Sequence, residues 1–154
     1  MWVGYLPVGS NRLLYTCTTP GVLEAIAHAA AILLAPSNPI VSVGPILAVP
    51  GLRDAVRSSS ARKVAISPIV GGQALKGPAD RMLRGLGHAV SPAGVARLYH
   101  DLVNTLVLDE VDAALADEVR ALGMDAVVAQ TVMHGPAEKR ELARRALDAA
   151  GVAA

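Results

Sequence analysis

The stretch KVAISPIVGG, residues 63–72, joins a short apolar run to a loop that is rich in proline and glycine. Short apolar runs without polar alternation are typical of parallel strands that are covered on both faces of a sheet. Three further runs share this character: AILLA at 31–35, TLVL at 105–108 and AVVA at 126–129. The four runs predict four strands of a mostly parallel sheet.

Segments with a helical spacing of apolar residues alternate with these runs. Proline is favoured in the first turn of a helix, and it begins four of the predicted helices, at Pro20, Pro78, Pro92 and Pro136. Two more helices are predicted at 52–57 and 113–122. Strands alternating with helices predict the α/β class, with a Rossmann-like, mostly parallel sheet and flanking helices. Residues 1–18 are expected to be an irregular segment that precedes the α/β unit at 19–154.

Composition excludes several classes of protein. The 154 residues suffice for one ordinary domain or for half of a larger one, and a hydrophobic content of 53% excludes intrinsic disorder. A net charge of +1 with 3% aromatic residues gives no case for nucleic-acid binding. The single cysteine, Cys17, excludes a disulfide framework. The longest apolar run, 25–35, is shorter than a bilayer span, and the N-terminus does not resemble a signal peptide. We therefore expect a cytoplasmic protein without membrane contact.

Two loops at predicted strand ends are candidates for a binding site. The first strand is followed by Pro36-Ser37-Asn38-Pro39, and the second by Ser67, Gly71-Gly72 and then Lys76. In open α/β sheets, ligands bind beyond the carboxyl ends of the strands. Glycine N–H groups, hydroxyl and amide side chains and a lysine suit phosphate oxygens, and the helix predicted at Pro78 would add the positive end of its dipole. The alternative is that both loops are tight turns that only reverse the chain.

Other polar residues give weaker signals. Asp109, Glu110 and Asp112 could meet a metal ion, but a solvated loop at a helix start is the favoured interpretation. The neighbours His100 and Asp101 would point apart on a helix, which argues against His100 acting as a general base with Asp101 as its partner. The remaining histidines share no ligand spacing. The residues therefore predict no metal site and leave the catalytic group unknown.

Four segments carry a resemblance to a known family. They are APSNPIVSVGPILAVPGLRDAV (35–56), VAISPIVGGQALKGPADRML (64–83), VSPAGVARLY (90–99) and, less tightly, LVLDEVDAALADEVRALGMDAVVAQTVM (106–133). These blocks strongly resemble the CofD family, the 2-phospho-L-lactate or phosphoenolpyruvate transferases of coenzyme F-420 biosynthesis. The likeness runs from about Pro20 to the C-terminus.

The resemblance implies a reaction and a set of site residues. A guanosine diphosphate-activated lactyl or enolpyruvyl phosphate would be attacked by the primary hydroxyl of the deazaflavin alcohol Fo, with release of GMP and a requirement for Mg²⁺. Positioning and electrostatics should dominate such chemistry. On the family pattern, the nucleotide–phosphate site would be lined by two loops with Lys76 and Gly77 at its edge; the lining residues are Ser37, Asn38, Pro39, Ser67, Gly71 and Gly72.

The resemblance covers only part of the family pattern. Family members are about twice as long, and their first half carries a glycine-rich phosphate loop, the metal-binding aspartate and much of the Fo pocket. This chain is similar to the C-terminal half, so we expect that the Mg²⁺ ligand lies outside it. We also expect that it forms a homo-oligomer or pairs with an N-terminal half. The alternative is a non-catalytic nucleotide-binding or oligomerisation module derived from the family.

Overall fold

A four-stranded parallel sheet forms the centre of the chain. The computed structural model describes residues 18–152, so the predicted irregular segment 1–18 lies outside the described residues except for Thr18, as does Cys17. The strands are β1 (Ala31–Leu34), β2 (Arg62–Ile66), β3 (Ile69–Val70), β4 (Gln73–Ala74), β5 (Thr105–Asp109) and β6 (Asp125–Ala129). The sheet has the order β1-β2-β5-β6, and β3 and β4 form a separate antiparallel hairpin. The four predicted parallel strands are confirmed.

Seven α-helices accompany the strands. They are α1 (Val22–Ala27), α2 (Gly44–Leu47), α3 (Leu52–Ser58), α4 (Ala79–Gly85), α5 (Pro92–Tyr99), α6 (Ala116–Arg120) and α7 (Pro136–Ala149) within residues 18–152. A π-helical turn, Pro39–Val43, runs into α2, and a 3-10 helix, Glu110–Leu115, precedes α6. In this part of the chain no single helix is long and apolar enough to cross a membrane, although the bent pair Pro39–Leu47 and Leu52–Ser58 reaches that length and composition together.

Two of the four helices that were predicted to begin at a proline do begin there. Pro92 and Pro136 are the first residues of α5 and α7. Pro78 is instead the residue before α4, and the first helix begins only at Val22. Gly21 has a φ of 86°, which no right-handed helix contains, so the chain turns there and Pro20 lies outside the helix.

The sheet separates two apolar clusters. On one face, Ala65 and Leu106 pack with residues of α3, α4, α5 and α6, which include Val56, Leu83, Val95 and Val119. On the other face, Val64 and Val107 pack against Leu142 and Ala146 of α7. Successive strand residues point to opposite faces, which is why the unbroken apolar runs of β2 and β5 fill both clusters.

The first strand is less covered than its sequence predicts. Its apolar run suggests burial on both faces, yet the Leu33 side chain is 41% exposed. Ile32 and Leu34 pack on the cluster beneath the α3–α6 helices, so Leu33 points to the opposite face. There the main contacts of α7 are with β2 and β6, and Ala31 is the β1 residue that packs on the cluster beneath α7. Among the described residues β1 pairs with β2 alone, and it therefore forms an edge of the sheet.

Candidate functional site

Parallel pairing brings the two predicted loops to one edge of the sheet. Strands β1 and β2 run side by side in the same direction, with Leu34 opposite Ala65. The chain after each strand therefore leaves from the carboxyl edge, which is where open α/β sheets bind ligands. This placement is the geometric basis of the candidate site.

Asn38 holds the first loop in place with its side chain. Its Oδ1 accepts hydrogen bonds from the backbone N–H groups of Ile40 at 2.9 Å and Val41 at 3.3 Å, which caps the π-helical turn. Its Nδ2 donates to Met82 Sδ at 3.5 Å, and this contact ties the loop to α4. Pro39 is buried at the first position of the turn, and Ser37 is half-buried beside it.

Ser67 shapes the second loop from inside. The residue is 2% exposed, and its hydroxyl donates to the Ile69 carbonyl at 2.9 Å while accepting from the Ile69 N–H at 3.1 Å. Its own N–H donates to the Val107 carbonyl, which extends the pairing with β5 beyond the end of β2. The hydroxyl is thus engaged within the loop, and its contact with a ligand stays a prediction.

Gly71 and Gly72 form the two-residue turn of the β3–β4 hairpin. Their φ values are 57° and 77°, and two consecutive positive φ values are what a type I′ turn requires. A Cβ added at either glycine would have its nearest neighbour at 3.9 Å, an ordinary contact. Conformation rather than space therefore demands glycine here. The turn does reverse the chain, as the alternative interpretation states, and its N–H groups lie at the carboxyl edge.

Lys76 and Gly77 lie between the hairpin and α4. Both are exposed, and Gly77 has a φ of 72°. Within residues 18–152 the Lys76 ammonium has no hydrogen bond or ion pair. An ammonium group without a partner is available to a ligand, and the place of Lys76 at the rim of the site stays a prediction.

Two acidic residues at this edge are buried, contrary to the prediction of a solvated loop. Asp109 is 2% exposed and Asp112 is 7% exposed, whereas Glu110 is exposed. Asp109 Oδ2 accepts from Thr131 N–H and Thr131 Oγ1, both at 2.8 Å, and its Oδ1 accepts from Val111 N–H at 3.2 Å. Asp112 Oδ2 accepts from Gly71 N–H at 2.9 Å. Each carboxylate accepts at least one hydrogen bond from a distant segment, and no fully buried side-chain oxygen among the described residues lacks a partner, which permits the burial of both acids.

The environment of Asp109 favours its ionised form. Burial by itself would raise the pKa of this carboxyl, but hydrogen bonds from Thr131 and Val111 outweigh burial and hold the pKa below its ordinary value. Asp109 is therefore a buried anion at neutral pH that binds the loop after β6 to the end of β5.

Two of the described acids already use carboxylate oxygens to accept hydrogen bonds. Asp109 and Asp112 face N–H donors, whose positive ends would repel a cation at the same oxygens. No group of three His, Cys, Asp or Glu side chains in residues 18–152 is arranged to hold a metal ion. The position of the Mg²⁺ ligands outside this chain stays a prediction.

The remaining charged candidates lie away from the site. Asp101 is paired with Arg53 at 2.7 Å and with Arg57 at 3.1 Å, and the hydrogen bond from Arg53 helps to lower the pKa of Asp101. His100 is exposed, and its Nδ1 contacts the Arg97 carbonyl. Arg57, His100 and Asp101 line an open polar groove of about 360 Å³ beside Lys63 and Asn104. Since Asn104 directly precedes β5, this groove lies at the amino edge, opposite the candidate site.

Comparison with known proteins identifies the family. The family described as "2-phospho-L-lactate transferase CofD" matches residues 11–149. A phosphoenolpyruvate transferase of Mycobacterium sp. (strain JLS) is 42% identical over 145 residues, which is 94% of this chain and 43% of the relative. A 2-phospho-L-lactate transferase of Methanothermobacter thermautotrophicus is 38% identical over 125 residues, or 81% of this chain and 40% of the relative. The chain belongs to the CofD family, and the resemblance seen in the sequence is confirmed.

Solved structures support the fold. A crystal structure of a Bacillus halodurans protein superimposes with a TM-score of 0.57 at 22% identity, covering 86% of this chain and 48% of that one. At this identity the likeness concerns the fold alone. The chain spans 43% and 40% of the lengths of the two transferases described above.

Proposed function

We propose that this chain supplies the nucleotide-phosphate-binding part of a CofD-family transferase. The reaction moves a lactyl or enolpyruvyl phosphate from a guanosine diphosphate-activated donor to the primary hydroxyl of the deazaflavin alcohol Fo, forms a phosphodiester and releases GMP. The observation that carries the proposal is the coincidence of two facts. The chain matches the family over residues 11–149, and two loops of that match leave the same carboxyl edge of the sheet.

The loops offer complementary chemistry to a diphosphate. The Gly71–Gly72 turn presents backbone without side chains, so a phosphate can approach the main chain closely. Lys76 adds an unpaired positive charge nearby in sequence, within the described part of the chain. The Asn38-capped turn forms a second wall that is fixed to α4. These groups bind and orient the donor, which is the main work of the protein in phosphoryl transfer.

Groups outside the described residues complete the proposed site. Mg²⁺, when bound, neutralises charge on the diphosphate, and we expect its carboxylate ligands to come from the remainder of a CofD-family fold. The sources that we propose for it are a partner with the N-terminal half or a second copy of this chain in a homo-oligomer. Two observations within the described residues support a partner at β1: the strand pairs with β2 alone, and the Leu33 side chain is 41% exposed on one face of the sheet. A cytoplasmic location stays a prediction.

A second candidate function is a non-catalytic binding or assembly module. The observation that favours it is that several polar groups at the site already have hydrogen-bond partners within the chain. The Ser67 hydroxyl, the Asn38 side chain and the Gly71 N–H all have partners within the chain. Such groups stabilise the loops whether or not a substrate binds, and the two candidates therefore differ in whether the edge has measurable affinity for a nucleotide.

Titration with GDP and GMP, with and without Mg²⁺, tests the proposal. We expect binding by the wild-type chain and a loss of roughly tenfold in affinity for Lys76→Ala, since one charged contact is worth about 1.4 kcal/mol or more. Arg120→Ala is the matched control, because it also removes one exposed cation. Arg120 ends α6, just before β6 begins, and therefore lies towards the amino edge of the sheet, away from the candidate site. Absence of nucleotide binding by the wild type, or an equal loss in both variants, would contradict the proposal.

A further inference from the structure

A distant carboxylate is bonded to the Gly71–Gly72 turn. The hairpin that carries the turn has strands of two residues each, and the buried side chain of Ile69 anchors its base in the core, so the turn at its tip has little strand pairing of its own. Asp112 lies 41 residues further along the chain, and its Oδ2 accepts the Gly71 N–H at 2.9 Å. Hydrogen bonds to an ionised acceptor are about twice as strong as those between neutral groups. The bond is therefore well suited to fixing the turn.

The residue that makes this bond is buried on a 3-10 helix whose start is capped by Asp109. Asp112 is 7% exposed and lies on the 3-10 helix that directly follows β5. Asp109 caps that helix through its contact with Val111 N–H, and it also binds the Thr131 N–H and hydroxyl in the segment after β6. The two carboxylates thus connect the hairpin turn, the end of β5 and the segment after β6.

Charge makes the position of Asp112 unusual for a phosphate site. A carboxylate beside a bound anion opposes binding by Coulomb repulsion, and water screens this repulsion less when the carboxylate is buried. The presence of Asp112 is explained if the orientation of the turn favours ligand binding by more free energy than the repulsion from the carboxylate opposes it. A fixed Gly71 holds the turn in the positive-φ conformation that Gly71 and Gly72 share, so little ordering of the turn remains to be done on binding.

We propose that Asp112 is a positioning residue that holds the Gly71–Gly72 turn ready for a phosphate-bearing ligand, with Asp109 fixing the helix on which Asp112 lies. This inference rests on the proposed function of the same edge. Asp112 acts through the turn and does not itself touch the ligand.

Two substitutions separate orientation from charge. Asp112→Asn keeps an oxygen that accepts the Gly71 N–H but removes the charge, whereas Asp112→Ala removes the acceptor. Titrated with GDP, Asp112→Asn should bind at least as tightly as the wild type, and Asp112→Ala should bind roughly tenfold more weakly. Asp117→Ala is the control, because it removes an exposed acid from α6.

Hydrogen exchange of the Gly71 amide gives a readout that needs no ligand. Its exchange should be slow in the wild type and in Asp112→Asn, and roughly tenfold faster or more in Asp112→Ala while the sheet amides of β5 stay protected. Rescue of both affinity and protection by asparagine supports the proposal. A melting temperature lowered in Asp112→Ala with affinity and Gly71 protection unchanged would overturn it, because the residue would then be merely structural.

Other outcomes are equally decisive. Tighter GDP binding by both variants would mean that the carboxylate competes with the ligand for the Gly71 N–H, and would overturn a positioning role. If the wild type does not bind GDP at all, the proposed function fails, and the role of Asp112 in binding fails with it. The Gly71 exchange rates would still decide separately whether Asp112 fixes the turn.

Discussion

At Gly72, folding and ligand binding require glycine for two different reasons, and the two requirements can be measured separately. Its φ is 77°, and a Cβ would meet Val90 O at 3.9 Å, so a side chain is opposed by conformation rather than by crowding. Gly72→Val should cost about 1–3 kcal/mol of stability, because β-branched residues avoid positive φ. It should weaken nucleotide binding by more than this loss of folding explains, since the side chain blocks approach to the turn. Thermal melts and GDP titrations on the same samples measure the two effects.

Gly123 provides the control for that experiment. Its φ is 80° with nothing within 4 Å of an added Cβ, and it lies before β6 at the opposite edge of the sheet. Gly123→Val should therefore lose a similar amount of stability and keep its affinity. Binding that merely follows the unfolded fraction in both variants would identify Gly72 as a structural glycine.

Asp109 should make stability depend on pH in the acid range. Its folded-state pKa lies below the value of about 3.9 in unfolded chains. Its contribution is therefore complete above that value and is lost as the pH falls through the folded-state pKa. In Asp109→Asn an amide N–H₂ must face a backbone N–H donor, which should cost about 1–3 kcal/mol near pH 7. Urea unfolding from about pH 7 to about pH 3 should show a shallower loss for the variant than for the wild type.

Glu110 is the matched control for the acid titration. It is the next residue along the chain and is exposed, so Glu110→Gln removes a neighbouring acid without removing a buried hydrogen-bond acceptor. If the profiles of Asp109→Asn and the wild type run parallel, Asp109 does not titrate differently in the folded and unfolded states, and its assigned environment is wrong.

At the scale of elements, the long-range pattern of the fold is predictable and the short connections are not. The apolar runs of β2, β5 and β6 and the helix starts at Pro92 and Pro136 follow from sequence, because burial on two faces and proline geometry leave local signatures. The β3–β4 hairpin does not, since two-residue strands carry no periodicity. The π-helical turn at Pro39–Val43 is not predictable from the sequence either, because its five residues show no periodic spacing of apolar side chains.

The candidate site also has parts that are predictable from the sequence and parts that are not. The strand-end loops were predicted, because parallel strands must deliver their following residues to one edge. The buried acids were not, because the donors to Asp109 and Asp112 lie 22 and 41 residues away in sequence. A local window that contains both acids shows only negative charge, and that pattern is ordinarily solvated. The available signal is position: Asp109 ends a buried strand at the carboxyl edge, and Asp112 lies three residues beyond it.

The edge strand β1 is the element that should govern association. Its outer side has no strand partner among the described residues, and the Leu33 side chain is 41% exposed on the sheet face that also carries α7. Unprotected apolar edges pair with other chains, and a lysine on such an edge discourages pairing. We expect the wild-type chain to self-associate and Leu33→Lys to shift it towards monomer in sedimentation velocity.

Leu86→Lys controls for a general gain in solubility. Leu86 is 58% exposed at the end of α4, away from the sheet edge, and receives the same change of side chain. Its association should match that of the wild type. A monomeric wild type at all concentrations, or an equal shift in both variants, would show that β1 is not the interface.

At the scale of the whole molecule, the chain alone should have no measurable transferase activity, although it should retain affinity for a nucleotide. Transfer from a diphosphate donor needs a metal held by carboxylates and an attacking hydroxyl that is aligned with the leaving group. The acids of residues 18–152 form no metal-holding group, and the chain covers 43% of the mycobacterial relative. Binding without alignment lowers no barrier, because only interactions that strengthen in the transition state accelerate the chemical step.

Reconstitution distinguishes an incomplete enzyme from an inert module. The purified chain is assayed with activated donor, Fo and Mg²⁺, first alone and then with the N-terminal half of a CofD-family transferase. Product that forms only in the mixture supports the proposed function, and Leu33→Lys should reduce it if that half docks at β1. Robust product from the chain alone would overturn the expectation, since the metal and the hydroxyl would then be held by this chain. Nucleotide binding without product in any mixture would favour the binding module, because the edge would then bind the donor without taking part in transfer.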